Sequence, residues 1–182
     1  MSTVFIVIIC LILFILLIWF ISASNQIKRL SIKINEAASL IDVALQNRYD
    51  VINSLVEVVK GHMKYEKEVL FDIVKIRNNL PIDEKIKEND KLTDNYERVK
   101  LLVENYPELK TDKSFLKLQE TIVEVENVLQ ASRRMYNSNV SIYNQMISTF
   151  PNNMIANIFG YNKKEFFTAK EVSSVVNINV QN

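Results

Sequence analysis

The chain has little of what bends or staples a protein. Two glycines and three prolines are spread over 182 residues. That is too few for the tight turns of an all-β fold or the glycine-rich loops of a nucleotide-binding α/β fold. Gly61 and Gly160 stand alone, so no phosphate-cradling loop can form around either. The single cysteine, Cys10, rules out an internal disulfide and a cysteine-based metal cluster. The single histidine, His62, rules out a di-iron bundle, which needs a Glu-x-x-His pair on each of two helices. A formal net charge of +1 supplies no basic face for a nucleic acid.

What the chain does have is apolar residues in long, ordered patterns. Residues 4–21 form an uninterrupted apolar run, VFIVIICLILFILLIWFI. As a helix it would be about 27 Å long, close to the hydrocarbon thickness of a bilayer. Trp19 sits near one end, where interfacial aromatics collect. A cleaved signal peptide would need a basic start, and Met1, Ser2 and Thr3 carry no basic side chain. Ser22-Ala23-Ser24 offers a weak cleavage site at most. Lys28, Arg29 and Lys33 follow the run and no Lys or Arg precedes it. The positive-inside rule then places the N-terminus outside and the larger domain in the cytoplasm.

Residues 24–48 continue with one apolar face: Ile27, Leu30, Ile34, Ala37, Ile41 and Leu45. Asn47, Asp50, Asn53 and Ser54 predict a turn or kink, with Asp50 as an N-cap. A second helix is expected over 51–79, ending before Pro81. Residues 81–89 read as a charged loop, and a weaker helix follows over 89–105. Asp112 is placed to cap the longest helix, whose seam is Phe115, Leu118, Ile122, Val125, Leu129, Ser132, Tyr136, Asn139, Tyr143, Met146 and Phe150. This 3-4 alternation predicts one rod buried along a narrow stripe. A short amphipathic helix over 152–159, with Gly160 as its C-cap, follows Pro151.

The expected architecture is therefore all-α: an N-terminal transmembrane helix and an antiparallel, four-helix-bundle-like set of long helices. The expected divisions are 4–21 for the span, 22–160 for the bundle and 161–182 for a largely flexible tail.

Candidate chemistry is thin. His62 and Glu66 lie four apart on one face and could hold a metal or move a proton. A metal needs three or four ligands, so packing is the better account of both. No nucleophile elbow is present. Tyr136-Asn137 and Tyr143-Asn144 repeat a dipeptide one heptad apart. Arg133 and Arg134 just before them are expected to pair with Asp42 or Asp50. Together with Arg48, these residues form a candidate polar layer that sets helix register or lines a pocket. No catalytic set is complete and no cofactor is implied. The expected partners are a lipid bilayer and a protein, which could be a second copy. An enzyme or sensor with a pocket around His62, Glu66, Tyr136 and Asn137 is the alternative.

Four stretches together resemble the LemA family: IDVALQNRYDVINSLVEVVKG (41–61), ENYPELKTDKSFLKLQETIVEVEN (104–127), SRRMYNSNVSIYNQMISTFPNNMIANIFGY (132–161) and the Phe166-Phe167 pair. The resemblance implies a bacterial, single-span membrane protein with a helical bundle. It brings no established enzymatic activity and no cofactor. A relative in magnetosome membranes makes a membrane-organising role an expectation. The chain departs from the family in having Asn53-Ser54 in place of a Pro-Asn pair, Ala38 in place of a Trp and Tyr65 in place of a His. Chemistry assigned to that His would not transfer.

Overall fold

The computed structural model describes residues 2–62 and 80–168. Four helices account for most of them: α1 (Ser2–His62), α2 (Ile82–Glu104), α3 (Lys113–Ser148) and α4 (Asn152–Phe159). A 3-10 turn, Leu109–Thr111, lies before α3. Among the described residues the fold is all helical, as the scarcity of turn-formers implies.

α1 is one helix of 61 residues, about 90 Å long. Its first part is apolar on every side, and its side chains from Val4 to Ile18 are uncovered. From Ala23 onward it narrows to a stripe, with Ile27, Ile34, Ile41 and Leu55 buried at heptad spacing. The break expected at Asn47–Ser54 does not occur. Ser54 bonds back to the Asp50 carbonyl at 2.8 Å, and Gln46 bonds the Asp50 carboxylate at 3.0 Å. The helix itself thus absorbs the polar groups that suggested a cap. Burial of Ile52, Leu55, Val56 and Val59 carries the helix through. The expected second helix is therefore the continuation of α1 as far as His62, and its remainder over 63–79 lies outside the described residues.

α2 starts at Ile82, so the loop expected over 81–89 is also corrected. Asp83 and Glu84 stand in its first turn, where carboxylates favour the helix dipole. Lys85, Asn89 and Leu92 form its buried face. The helical period is present there, but polar residues fill it, which hid it from hydrophobic patterning.

α3 begins as expected, with the Asp112 carboxylate accepting from the Phe115 amide at 2.9 Å. Phe115, Ile122, Leu129, Tyr136 and Tyr143 form one buried edge. The other edge drifts. It passes through half-buried Leu118 and Val125 and buried Ser132, then moves one position to Val140 and Ile147. A straight α-helix shifts by about 20° per heptad against a 3.5-residue repeat, which accounts for the shift. Phe150, expected to close the seam, is instead exposed. α4 follows Pro151 and ends at Gly160, whose φ of 68° is the left-handed C-cap expected of it.

Cross-links fix the directions. Lys33, Arg48 and His62 of α1 meet Asn139, Glu126 and Asp112 in turn, so α1 and α3 are antiparallel. Asp42 and Arg48 meet Lys85 and Asn89, so α2 runs alongside α1 in the same direction. Leu92 joins Ile52 and Ile122 in one apolar cluster, which brings all three rods together.

Candidate functional site

Two polar constructions and one isolated contact hold most of the residues singled out by the sequence. The first is a ladder on α3. Asn137 and Asn144 lie one heptad apart, hence on one face. The Asn137 amide nitrogen donates to the Phe167 carbonyl at 2.9 Å, and the Phe167 N–H donates to the Asn137 oxygen at 2.8 Å. Asn144 does the same with Lys164, at 2.8 Å and 2.9 Å. Between them the Tyr136 hydroxyl donates to the Glu165 carbonyl at 3.1 Å.

The spacing has a geometric reason. Seven helical residues rise about 10.5 Å. Three extended residues span about 9–10 Å, so positions 164 and 167 can match that rise. Each asparagine amide therefore replaces the peptide group of a neighbouring strand. Of the largely flexible tail expected over 161–182, residues 164–167 have their backbone fastened along α3, and 169–182 lie outside the described residues. Phe167 is 3% exposed, wedged into the core under the Arg133 guanidinium, which lies 4.8 Å from the ring centre. Lys164 lies 5.9 Å over the Tyr143 ring. Burial pushes the Tyr136 hydroxyl pKa up, with the Glu165 charge adding to it. The Tyr143 hydroxyl is raised by burial and then by Tyr161. The Arg133 pKa is lowered by burial and then by the Arg48 charge, against an opposing pull from Glu126 and Asp90.

The second construction is an ionic layer through three helices. Arg48 takes the seam position between Ile41 and Leu55 on α1 and is 3% exposed. Its Nη1 donates to the carbonyl and side-chain oxygens of Asn89 at 3.0 Å and 2.5 Å. Nη2 donates to Thr93 at 3.1 Å and meets Glu126 of α3 at 2.5 Å. About one turn earlier on α2, Lys85 pairs with Asp42 at 2.7 Å. A guanidinium at a seam position needs its donors filled if it is to stay charged and buried. Asn89, Thr93 and Glu126 fill most of them, while Nε has no hydrogen-bond partner.

The pairing expected of Arg133 and Arg134 with Asp42 or Asp50 is corrected. Asp42 belongs to Lys85 and Asp50 to Gln46. Arg134 reaches Gln130 on its own helix at 3.3 Å. Lys85, the partner of Asp42, and Asn89, the partner of Arg48, sat in the segment whose charge made it read as a loop.

His62 stands apart from both. Its Nδ1 is 3.1 Å from the Val58 carbonyl and its Nε2 is 3.9 Å from the Asp112 carboxylate. Glu66 lies outside the described residues. Asp112 opens α3, and Tyr136 comes 24 positions later, about 36 Å along the axis. A single pocket containing His62, Tyr136 and Asn137 is therefore excluded. Among the described residues no group of three or more His, Cys, Asp or Glu side chains could hold a metal ion.

These features define a class: a long-helix bundle continuous with an N-terminal apolar helix, its polar interior used for internal fastening. The LemA family profile matches residues 37–181, and the chain belongs to the LemA family. It is 26% identical to Protein LemA of Metamycoplasma hominis over 161 residues, covering 86% of this chain and 74% of that protein. It is 32% identical over 73 residues to Magnetosome proteins MamQ 1 and MamQ 2 of Paramagnetospirillum magneticum. Those two matches cover 40% of this chain and 27% of either protein.

Proposed function

We propose that this protein is a non-enzymatic, single-span membrane protein whose bundle works as an interaction or scaffolding platform on the cytoplasmic side. The observation that carries the reading is α1. One helix is uncovered and apolar through its first turns, then serves as the central rod of the bundle. Uncovered side chains from Val4 to Ile18 would hide a large apolar area in lipid, at about 25 cal/mol per Å². With no flexible joint in α1, the anchor holds the bundle at a set height above the membrane.

The non-enzymatic part rests on how the polar residues are used. Asn137 and Asn144 each engage both amide atoms with backbone, and Arg48 engages neighbouring helices. Groups committed in this way stabilise a fold and are not free for a substrate. The similarity to two proteins named as magnetosome proteins supports a membrane-organising role. The basic residues Lys28, Arg29 and Lys33 support the cytoplasmic side.

The test is photocrosslinking in intact cells from the exposed positions Val43, Val123 and Val128, followed by carbonate washing of the membranes. The expected result is that the chain stays in the membrane and gives discrete adducts to one protein or to itself. Release by carbonate would refute the anchor. Substrate turnover by the purified chain, lost on Tyr136→Phe at unchanged stability, would refute the non-enzymatic role.

A further inference from the structure

The end of α3 and the whole of α4 carry an uncharged surface that the bundle does not use. No acidic or basic residue lies between Arg134 and Lys163. Within α4, Ile155 and Ala156 belong to the core cluster that also holds Ala23 and Ile27. The helix also presents Met154 and Ile158 to the outside, four apart and so on one face, with Phe150 at the preceding turn. Phe150 is 79% and Ile158 69% exposed. An eight-residue helix apolar on two sides is thus covered by protein on one of them.

Its position points to what covers the other. The Phe159 ring lies 5.9 Å from the ring of Phe20. Phe20 belongs to the last turn of the apolar run in α1. α4 is therefore level with the point where that run ends. Cations follow on both segments: Lys28 and Arg29 on α1, Lys163 and Lys164 after α4. Apolar face, aromatic residues and then cations is the order in which a side-chain surface meets acyl chains, interface and phosphates.

We infer that α4 lies in the headgroup–acyl boundary of the leaflet from which α1 emerges, with Phe150, Met154 and Ile158 in lipid. The inference rests on α1 being a membrane span. It gives the bundle a second contact with the bilayer, so that the domain is fixed in tilt as well as tethered. A protein cover fits less well. Three side chains fall far short of the roughly 800 Å² per partner of a stable interface. Lipid has no such threshold here, because α1 already holds α4 at the membrane surface.

The full chain, with Cys10→Ser and one new cysteine carrying an environment-sensitive dye, tests this in phosphatidylcholine–phosphatidylglycerol vesicles. The cysteines are Phe14→Cys in the span, Ile158→Cys or Met154→Cys in α4, and Leu101→Cys on α2. Spin-labelled lipid and aqueous iodide are the two quenchers, and circular dichroism checks that each variant is folded. Dyes at 158 and 154 are expected to follow the dye at 14, dimmed at least about twofold by the lipid quencher and shielded from iodide. The dye at 101 should show the reverse. Lipid quenching at 14 with iodide quenching at 158 and 154 would overturn the inference and leave the span standing. Shielding of 158 and 154 from both quenchers would mean a protein cover and would also overturn it. Absence of lipid quenching at 14 would remove the span and the inference together.

Discussion

Asn144 holds the backbone of Lys164 through both of its amide atoms, at 2.8 Å and 2.9 Å. Asn137 repeats the arrangement on Phe167 one heptad away. Neither asparagine packs as an ordinary seam residue. Each acts as a section of sheet edge carried on a helix, and together they make residues 164–167 part of the bundle.

Asn137→Ala should therefore remove two hydrogen bonds and leave the part-buried backbone of Phe167 unpaired. A loss of about 2 kcal/mol is expected, read by urea unfolding of the detergent-solubilised full chain. Asn137→Asp should fail as well, because a carboxylate cannot donate to the Phe167 carbonyl. Combined with Asn144→Ala, the losses should be non-additive by at least about 0.5 kcal/mol, since both residues hold one strap. Strict additivity would show that the two amides act separately.

The Tyr136 and Tyr143 hydroxyls are both raised by burial. A raised pKa in the folded state means that the neutral form is favoured there. The contribution is fully present below the ordinary tyrosine value near 10 and declines as the pH rises through the folded value. Stability should fall above about pH 10, where exposed tyrosines ionise freely. Tyr136→Phe should flatten part of that fall. An unchanged alkaline slope in Tyr136→Phe would show that the buried Tyr136 hydroxyl is not the source.

The helices were legible in the sequence wherever apolar residues marked the period, as along α3 from Phe115 to Leu129. Legibility ended where polar residues occupied core positions. Lys85 and Asn89 sit on the buried face of α2, but without knowledge of Asp42 and Arg48 they read as solvated charge. Asn47, Asp50 and Ser54 suggested a break because their turn preference is local, whereas the burial of Ile52 and Leu55 that overrides it is tertiary. The strap at 164–167 was hidden for another reason. Its anchoring groups are backbone atoms, which leave no mark in sequence, so only the heptad pair of asparagines hinted at it.

Arg48 stands in the heptad line Ile27, Ile34, Ile41, Leu55. Arg48→Ala should cost about 3 kcal/mol or more, because it empties the layer and leaves Asn89 and Glu126 without their partner. Arg48→Met keeps the volume and removes the charge, so it should be near neutral or even stabilising. The two variants separate stability from specificity. If the layer fixes register, Arg48→Met should unfold less cooperatively or show more than one oligomeric state by light scattering, despite its stability. A stable, cooperative, unchanged Arg48→Met would show that the ionic layer has no register role.

At the far end of the bundle Asp112 has two contacts. One carboxylate oxygen caps α3 through the Phe115 amide and the other faces His62 Nε2 at 3.9 Å. The cap is within hydrogen-bond distance and the His62 contact is not, so the cap should dominate. Asp112→Asn keeps an oxygen for the amide and loses the charge; Asp112→Ala loses both. The expected outcome is a cost of about 1 kcal/mol for Asp112→Ala and a few tenths for Asp112→Asn. Equal losses in both variants, abolished in a His62→Gln background, would instead place the stabilisation in the ion pair.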